Sequence, residues 1–492
     1  MFESAEIGHE VSKEDYDKQV PELRTALLNA QYELLEKQNV AVVVVVGGVD
    51  GAGKGDTINQ LNAWLDARHV RTHGMGPPTD EEAARPPYWR FWRLLPPKGK
   101  IGVFMGSWYT APIVDRVFKR IGDADLDSAM DRCRHFERML SDEGVIVLKL
   151  WFHLSKEEQR ERLKRLEKDK RTRWRVTETD WKHFAIYDKF RRISARALRQ
   201  SSTEYGPWLV VSGRDRRYRE LTVGRALLEA IQRGLARDKT ALPPPPVPQT
   251  APPVDGKTIL DTLDLQATVD KDVYDTRLEL LQGKLNLMTR SPEFAGRSTL
   301  IVFEGSDAAG KGGAIRRVTA ALDARQYAVV PIAAPTDEER AQPYLWRFWR
   351  HLPSRGKMLI FDRSWYGRVL VERVEGFAPP SDWMRAYTEI NDFEEQLVEH
   401  GLILIKLWLQ VDAEEQLRRF KEREQTGFKQ YKITAEDWRN REKWTAYKSA
   451  ANDMVERTST EIAPWTLVPA NDKRHARIQV LETVVGAIEK AL

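Results

Sequence analysis

The chain has 492 residues, of which 41% are hydrophobic and 31% charged, with 78 Lys and Arg against 73 Asp and Glu for a formal charge of +5. That length exceeds one ordinary core of ~100–200 residues, and the mix excludes a collagen-like or wholly disordered chain. A single cysteine, Cys133, excludes an internal disulfide and a Cys-based zinc site, which favours a reducing, cytoplasmic setting.

In chain order, the opening segment Met1–Glu10 lacks the basic-then-apolar build of a secretory signal. The longest apolar run, Val40–Val46, is a strand candidate and falls far short of the ~20 residues that cross a bilayer, so no membrane partner is expected. Ile101–Phe104, Val145–Trp151 and Trp208–Val211 follow as further strands. Residues 239–255 hold seven of the chain's 25 prolines and read as a stiff, extended linker, a composition that would also suit a ligand of an SH3-type domain. Beyond it come strand candidates Leu300–Phe303, Ala328–Ile332, Met358–Phe361, Leu402–Leu409 and Trp465–Val468, with a helix over Ala314–Leu322. Continuous β-branched runs separated by helical stretches predict an α/β fold, a buried parallel sheet covered on both faces. Ligands of such sheets bind at the carboxyl ends of the strands.

The chain is written twice. Lys54 recurs as Lys311, 257 positions on, and the same interval carries Trp89-Arg-Phe-Trp-Arg93 onto Trp346–Arg350 and Ser107-Trp-Tyr109 onto Ser364–Tyr366. A constant offset over a domain-sized unit is a tandem duplication, not a short-period solenoid. The expected layout is one domain over 1–238, a linker over 239–255 and a second domain over 256–492.

In the second copy, a strand runs into Gly305-Ser-Asp-Ala-Ala-Gly-Lys-Gly-Gly313 and then a helix. The amides of Gly305, Ala308, Ala309, Gly310, Gly312 and Gly313 can wrap a phosphate, with Lys311 reaching the outer phosphates from the helix N-terminus. A standard loop of this kind places Ser or Thr after the lysine as a magnesium ligand; Gly312 stands there, which leaves Asp307 as the substitute. Asp362 ends a buried apolar strand, where a carboxylate is costly unless a cation is near. Beside a phosphate loop the natural partner is magnesium, so Asp307 and Asp362 are the candidate Mg2+ ligands. Arg363 and Arg368 could clamp phosphoryl oxygens through their planar forks. The first copy has Met105, Gly106 and Ala111 at these three places, although Asp50 and Lys54 remain. It could still hold a phosphate, but it reads as catalytically crippled.

Arg347 and Arg350 share a helix face within an aromatic cluster and are candidates for a polyphosphate or nucleotide clamp, while the tryptophans beside them read as core packing. The charged stretch Glu414–Arg441 reads as helical, with a capping-box start at Thr434, and could be a mobile lid or a solvated surface.

Together these motifs, Glu304–Gly313, Pro335-Thr-Asp-Glu-Glu339, Trp346–Arg350 and Phe361–Arg368, resemble the signatures of the polyphosphate kinase 2 family over nearly all of both halves. The resemblance implies a tandem pair of P-loop kinase-like three-layer domains with a helical lid. Because the tandem layout is similar to the family's two-domain branch, it also implies magnesium-dependent transfer of the terminal phosphate of inorganic polyphosphate to AMP, giving ADP. It places Asp307, Lys311, Asp362, Arg363 and Arg368 in the active site and Arg423 and Lys432 in the lid. ADP as acceptor stays open, as do an ATP-using kinase and a polyphosphate- or nucleotide-binding protein without turnover. The resemblance is compatible with a homo-oligomer; no nucleic-acid partner is expected.

Overall fold

The computed structural model describes residues 1–236, 255–427, 431 and 433–492. The proline-rich linker read over 239–255 therefore lies outside the described residues, save Asp255. Valines 42 to 46 are β-branched and almost wholly shielded from water, which suits the centre of a sheet better than a helix. They form most of β1 (Ala41–Gly48), followed by β2 (Val70–Gly74), β3 (Ile101–Met105), β4 (Val145–His153) and β5 (Trp208–Ser212). All pairings are parallel, in the order β2-β3-β1-β4-β5. The second sheet repeats this with β6 (Ser298–Gly305), β7 (Tyr327–Pro331), β8 (Met358–Asp362), β9 (Leu402–Gln410) and β10 (Trp465–Pro469), ordered β7-β8-β6-β9-β10.

Alternation along a strand sends neighbouring side chains to opposite faces. In β4, Leu148, Leu150 and Phe152 join the core cluster that includes Leu221, Val223 and Leu227 of the helix Arg216–Ala236. Lys149, between them, meets Glu137 of the helix Asp123–Asp142. Helices thus cover both faces, giving three layers. The first copy's second strand, Val70–Gly74, was not foreseen: it is an edge strand with a largely solvent-facing pattern and carries no apolar run.

The described residues form two compact units. One comprises Met1–Pro78, 90–236 and Pro335–Arg347; the other comprises Thr79–Trp89, 255–334 and Phe348–Leu492. Units and repeats therefore differ at the Pro-Thr-Asp-Glu-Glu motif. No helix among the described residues is long and apolar enough to cross a membrane.

The Ser-Trp-Tyr motifs serve the fold. In the second unit, Lys406 donates to Glu394 Oε2 at 2.7 Å, the Tyr366 hydroxyl at 3.1 Å and the Thr458 carbonyl at 2.6 Å. Glu394 Oε1 also accepts from Trp365 Nε1 at 3.0 Å and from the Tyr366 hydroxyl at 2.6 Å. The first unit builds the same box from Lys149, Glu137, Trp108 and Tyr109. Burial pushes Glu394 up and Lys406 down in pKa, each opposed by the other.

Candidate active site

β6 lies where the strand order reverses, with β8 on one side and β9 on the other, the place where open parallel sheets leave a crevice. It ends at Gly305, where φ is 141° and an added Cβ would sit 2.3 Å from the Leu409 carbonyl oxygen; only glycine fits. The loop closes on Gly310, φ 106°, the N-cap of the helix Lys311–Thr319. That helix brings first-turn amides without helical partners and the positive end of its dipole to the site. They border a cavity of about 580 Å³ lined by residues 307–314, Asp362 and Arg363, and by Arg316, Arg419, Arg423, Lys473 and Arg477. Seven Lys and Arg side chains against four acids, Glu422 and Asp437 among them, make it a cationic cleft suited to a polyanion.

Lys311 Nζ donates to the carbonyls of Gly305 at 2.6 Å and Ser306 at 3.2 Å. Burial lowers its pKa, and Asp307 works against that. Asp307 accepts from Arg363 at 3.0 Å on Oδ1 and from Asn440 at 2.9 Å on Oδ2. Burial alone would lower the Arg363 guanidinium, but Asp307 and Glu304 outweigh it and the net shift is upward. Ala308 and Arg363 take φ values of 61° and 65°, in the left-handed region. Such strain costs on the order of 1 kcal/mol and gathers at functional sites. The first copy has Gly51 and Gly106 there, at 76° and 85°.

Beside the cationic cavity lies a second pocket. Its walls combine Trp408, Trp444, Tyr447 and Leu370 with the polar residues Glu304, Asp307, Arg363, Gln410, Gln416, Asn440 and Lys448. A planar ring with an anionic substituent matches that arrangement.

The residues expected at the phosphate loop come together as expected: Asp307, Lys311, Asp362 and Arg363, with Ala308, Ala309, Gly310, Gly312 and Gly313, line one cavity, and so does Arg423. Arg368 does not line it. Its guanidinium turns to Glu372 at 2.9 Å and Asp382 at 3.6 Å, because a short 3-10 turn over Trp365–Arg368 carries it towards those acids. Arg347 pairs with Glu339 at 3.3 Å and Arg350 is exposed; neither lines either pocket. Trp349 is buried, as core packing requires. Lys432 lies outside the described residues.

Two residues were given no place in the phosphate site from sequence. Glu304 is 4% exposed and accepts from Ser364 Oγ at 2.8 Å. Burial raises its carboxyl pKa, with Lys311 opposing. Its counterpart is Gly47, so a position-by-position comparison of the two copies would have found it. Arg419, within the charged stretch that could be a lid or a solvated surface, is 3% exposed and donates to the carbonyls of Ala308, Ala309, Ala470 and Asn471 at 2.7–3.1 Å. It therefore braces the loop from behind. Arg419→Ala is expected to lower stability by about 2–3 kcal/mol, read as a shift in the urea midpoint. No shift would mean that the loop holds its shape without the brace.

The oxygen donors fit a magnesium ion only as a pair. Asp307 and Asp362 line one cavity, and Mg2+ ordinarily takes one or two carboxylates and completes its shell with substrate phosphates and water. Among the described residues no group of three or more His, Cys, Asp or Glu side chains is arranged to hold a metal.

A three-layer α/β unit, written twice, with one complete phosphate-loop site is the class that fold and site define. The chain matches the family Polyphosphate kinase 2 over residues 10–239 and 268–492, and it belongs to that family. It is 56% identical to the polyphosphate:AMP phosphotransferase of Pseudomonas aeruginosa, covering 100% of this chain and 99% of that one. It is 52% identical to the protein of the same name from Pseudomonas syringae pv. tomato, with the same coverage. A crystal structure from Pseudomonas aeruginosa PA01, described as a polyphosphate kinase 2, superposes with a TM-score of 0.90 at 54% identity, over 100% of this chain and 99% of that one.

Proposed function

We propose that the chain transfers the terminal phosphate of inorganic polyphosphate to AMP, producing ADP and a polyphosphate one unit shorter, at the site of the second unit. The observation that carries this reading is the junction of a cationic cavity with an aromatic pocket at Asp307 and Arg363, which line both. A chain of phosphates suits the first, and a nucleoside with its phosphate turned towards the junction suits the second. The names of the full-length relatives agree with AMP as acceptor.

In this reading a phosphate oxygen of AMP attacks the terminal phosphorus of the chain. A new P–O bond forms, the bond to the penultimate phosphate's bridging oxygen breaks, and the shortened chain leaves with that oxygen and its electron pair. Lys311 and the loop amides offset charge on the transferring group. Arg363 stands at the junction, bonded to Asp307, where it can follow the phosphoryl group as it moves. Arg316, Arg423, Lys473 and Arg477 hold the rest of the chain in line, so the work is mainly positioning. Asp307 and Asp362 would hold magnesium, which supplies charge neutralisation at the phosphates when bound. One phosphoanhydride replaces another, so the reaction should run in both directions. The single buried thiol, Cys133, accords with a cytoplasmic setting.

Purified protein given AMP and polyphosphate, with no ATP present, is expected to form ADP, followed by chromatography. ADP formation only after ATP is supplied would make the donor a nucleotide and overturn the reading.

A further inference from the structure

The offset of 257 maps the walls of the second unit's aromatic pocket onto the first unit: Trp408 onto Trp151, Gln410 onto His153 and Lys448 onto Arg191. These three residues surround Phe2. Its ring lies 4.3 Å from the His153 ring with planes 10° apart, and 6.1 Å from Trp151 at 20°. The Arg191 guanidinium carbon is 5.6 Å from the Phe2 ring centroid. Glu6 bonds His153 Nε2 at 2.7 Å, and Glu3 pairs with Arg191 at 3.3 Å. Phe2 is 1% exposed. A ring stacked on His153 and Trp151 with a guanidinium beside it, and carboxylates paired to the imidazole and the guanidinium, resembles a bound aromatic ring with its anionic group. Here the chain supplies it from its own beginning.

The phosphate loop of the first unit is filled as well. Ala476, which lines the second unit's cavity, corresponds to Arg219. Its guanidinium lies against the loop so closely that a Cβ on Gly53 would meet Cζ at 2.5 Å. It donates to the Gly213 carbonyl at 2.7 Å and to Thr57 Oγ1 at 3.2 Å, and is 1% exposed. Four of the other cavity's seven cations have gone: Arg363 is matched by Gly106, and Arg316, Arg423 and Arg477 become Asn59, Leu166 and Glu220, while Lys311, Arg419 and Lys473 keep their charge as Lys54, Arg162 and Arg216; Gly313 becomes Asp56. Two of these five changes add negative charge where phosphate would lie.

We propose that the first unit is closed from within, with Phe2 standing where the second unit takes a nucleoside ring and Arg219 where it takes a phosphate, so that each chain binds nucleotide and polyphosphate at one site only. This rests on the reading of the second unit's two pockets given above. It replaces the expectation that the first loop could still hold a phosphate.

Hydrogen-exchange mass spectrometry on the full chain tests it, with AMP and tripolyphosphate as separate probes, because it reports each loop by itself. In the unaltered chain both ligands should slow exchange over residues 305–313 by about fivefold or more, while 48–56 and 2–8 stay unchanged. In a chain carrying Phe2→Ala and Arg219→Ala, 48–56 should become protected as well. Protection of 48–56 in the unaltered chain, or faster exchange of 2–8 when AMP displaces Phe2, would overturn the proposal. So would a doubly substituted chain with an unchanged melting temperature and no new protection. The unaltered chain decides the matter even where the substituted one fails to fold. Failure of 305–313 to respond would instead remove the reading of the second unit.

Discussion

Lys311→Ala is expected to lower the rate of phosphoryl transfer by about a hundred- to a thousandfold or more. Lys54→Ala should change it by less than about threefold. The two lysines are near-twins in local geometry: each bonds the same two loop carbonyls, at 2.6 and 3.1 Å for Lys54 and at 2.6 and 3.2 Å for Lys311. What separates them is their surroundings. Lys311 faces a cavity with Asp362, Arg363 and five further cations on its walls, whereas the positions matching Asp362 and Arg363 hold Met105 and Gly106. Asp362→Asn should fall with Lys311→Ala. Initial rates of ADP formation from AMP and polyphosphate measure all three. Equal losses at the two lysines would show that both units take part in the chemistry.

The second large effect falls on stability. Replacing Lys406 with Met leaves Glu394 charged and buried beside Trp365 and Tyr366, and removing one partner of such a pair typically costs about 3–5 kcal/mol. Guanidinium unfolding should therefore show a large loss for Lys406→Met. Much of it should return in the double substitution Lys406→Met with Glu394→Leu, where no charge is left stranded. A loss below about 1 kcal/mol in the single variant would show that water reaches the box. The same pair at Lys149 and Glu137 in a unit read as inactive identifies this network as architecture and not chemistry.

Much of this was legible in the order of residues because the relevant signals are local. Strand, loop and helix follow one another at Gly305–Lys311, and buried strands declare themselves as unbroken apolar runs. The edge strand Val70–Gly74 escaped because it reads Val-Arg-Thr-His-Gly, with no apolar run, whereas its counterpart β7, equally exposed, reads Tyr-Ala-Val-Val-Pro. Arg368 and Arg347 escaped for another reason: an arginine near a motif can swing several ångströms, and the acids that captured them, Glu372 and Glu339, look like ordinary surface charges in sequence. Arg419 sat within a run of cations that gave no hint which one is buried. Its role depends on carbonyls of Ala308 and Ala470, brought to it only by the fold.

The left-handed backbone at Arg363 has a consequence for what separates the two units. Gly106 already holds φ at 85°, close to the 65° of Arg363, and β3 and β8 share one register with their central strands. Much of that backbone geometry is therefore already present in the main chain of the first unit. What separates the two units is written chiefly in side chains, at 47, 56, 59, 105, 106, 166, 219 and 220 and in the ring of Phe2, so the molecule carries its own blank template, into which a second catalytic centre could be engineered.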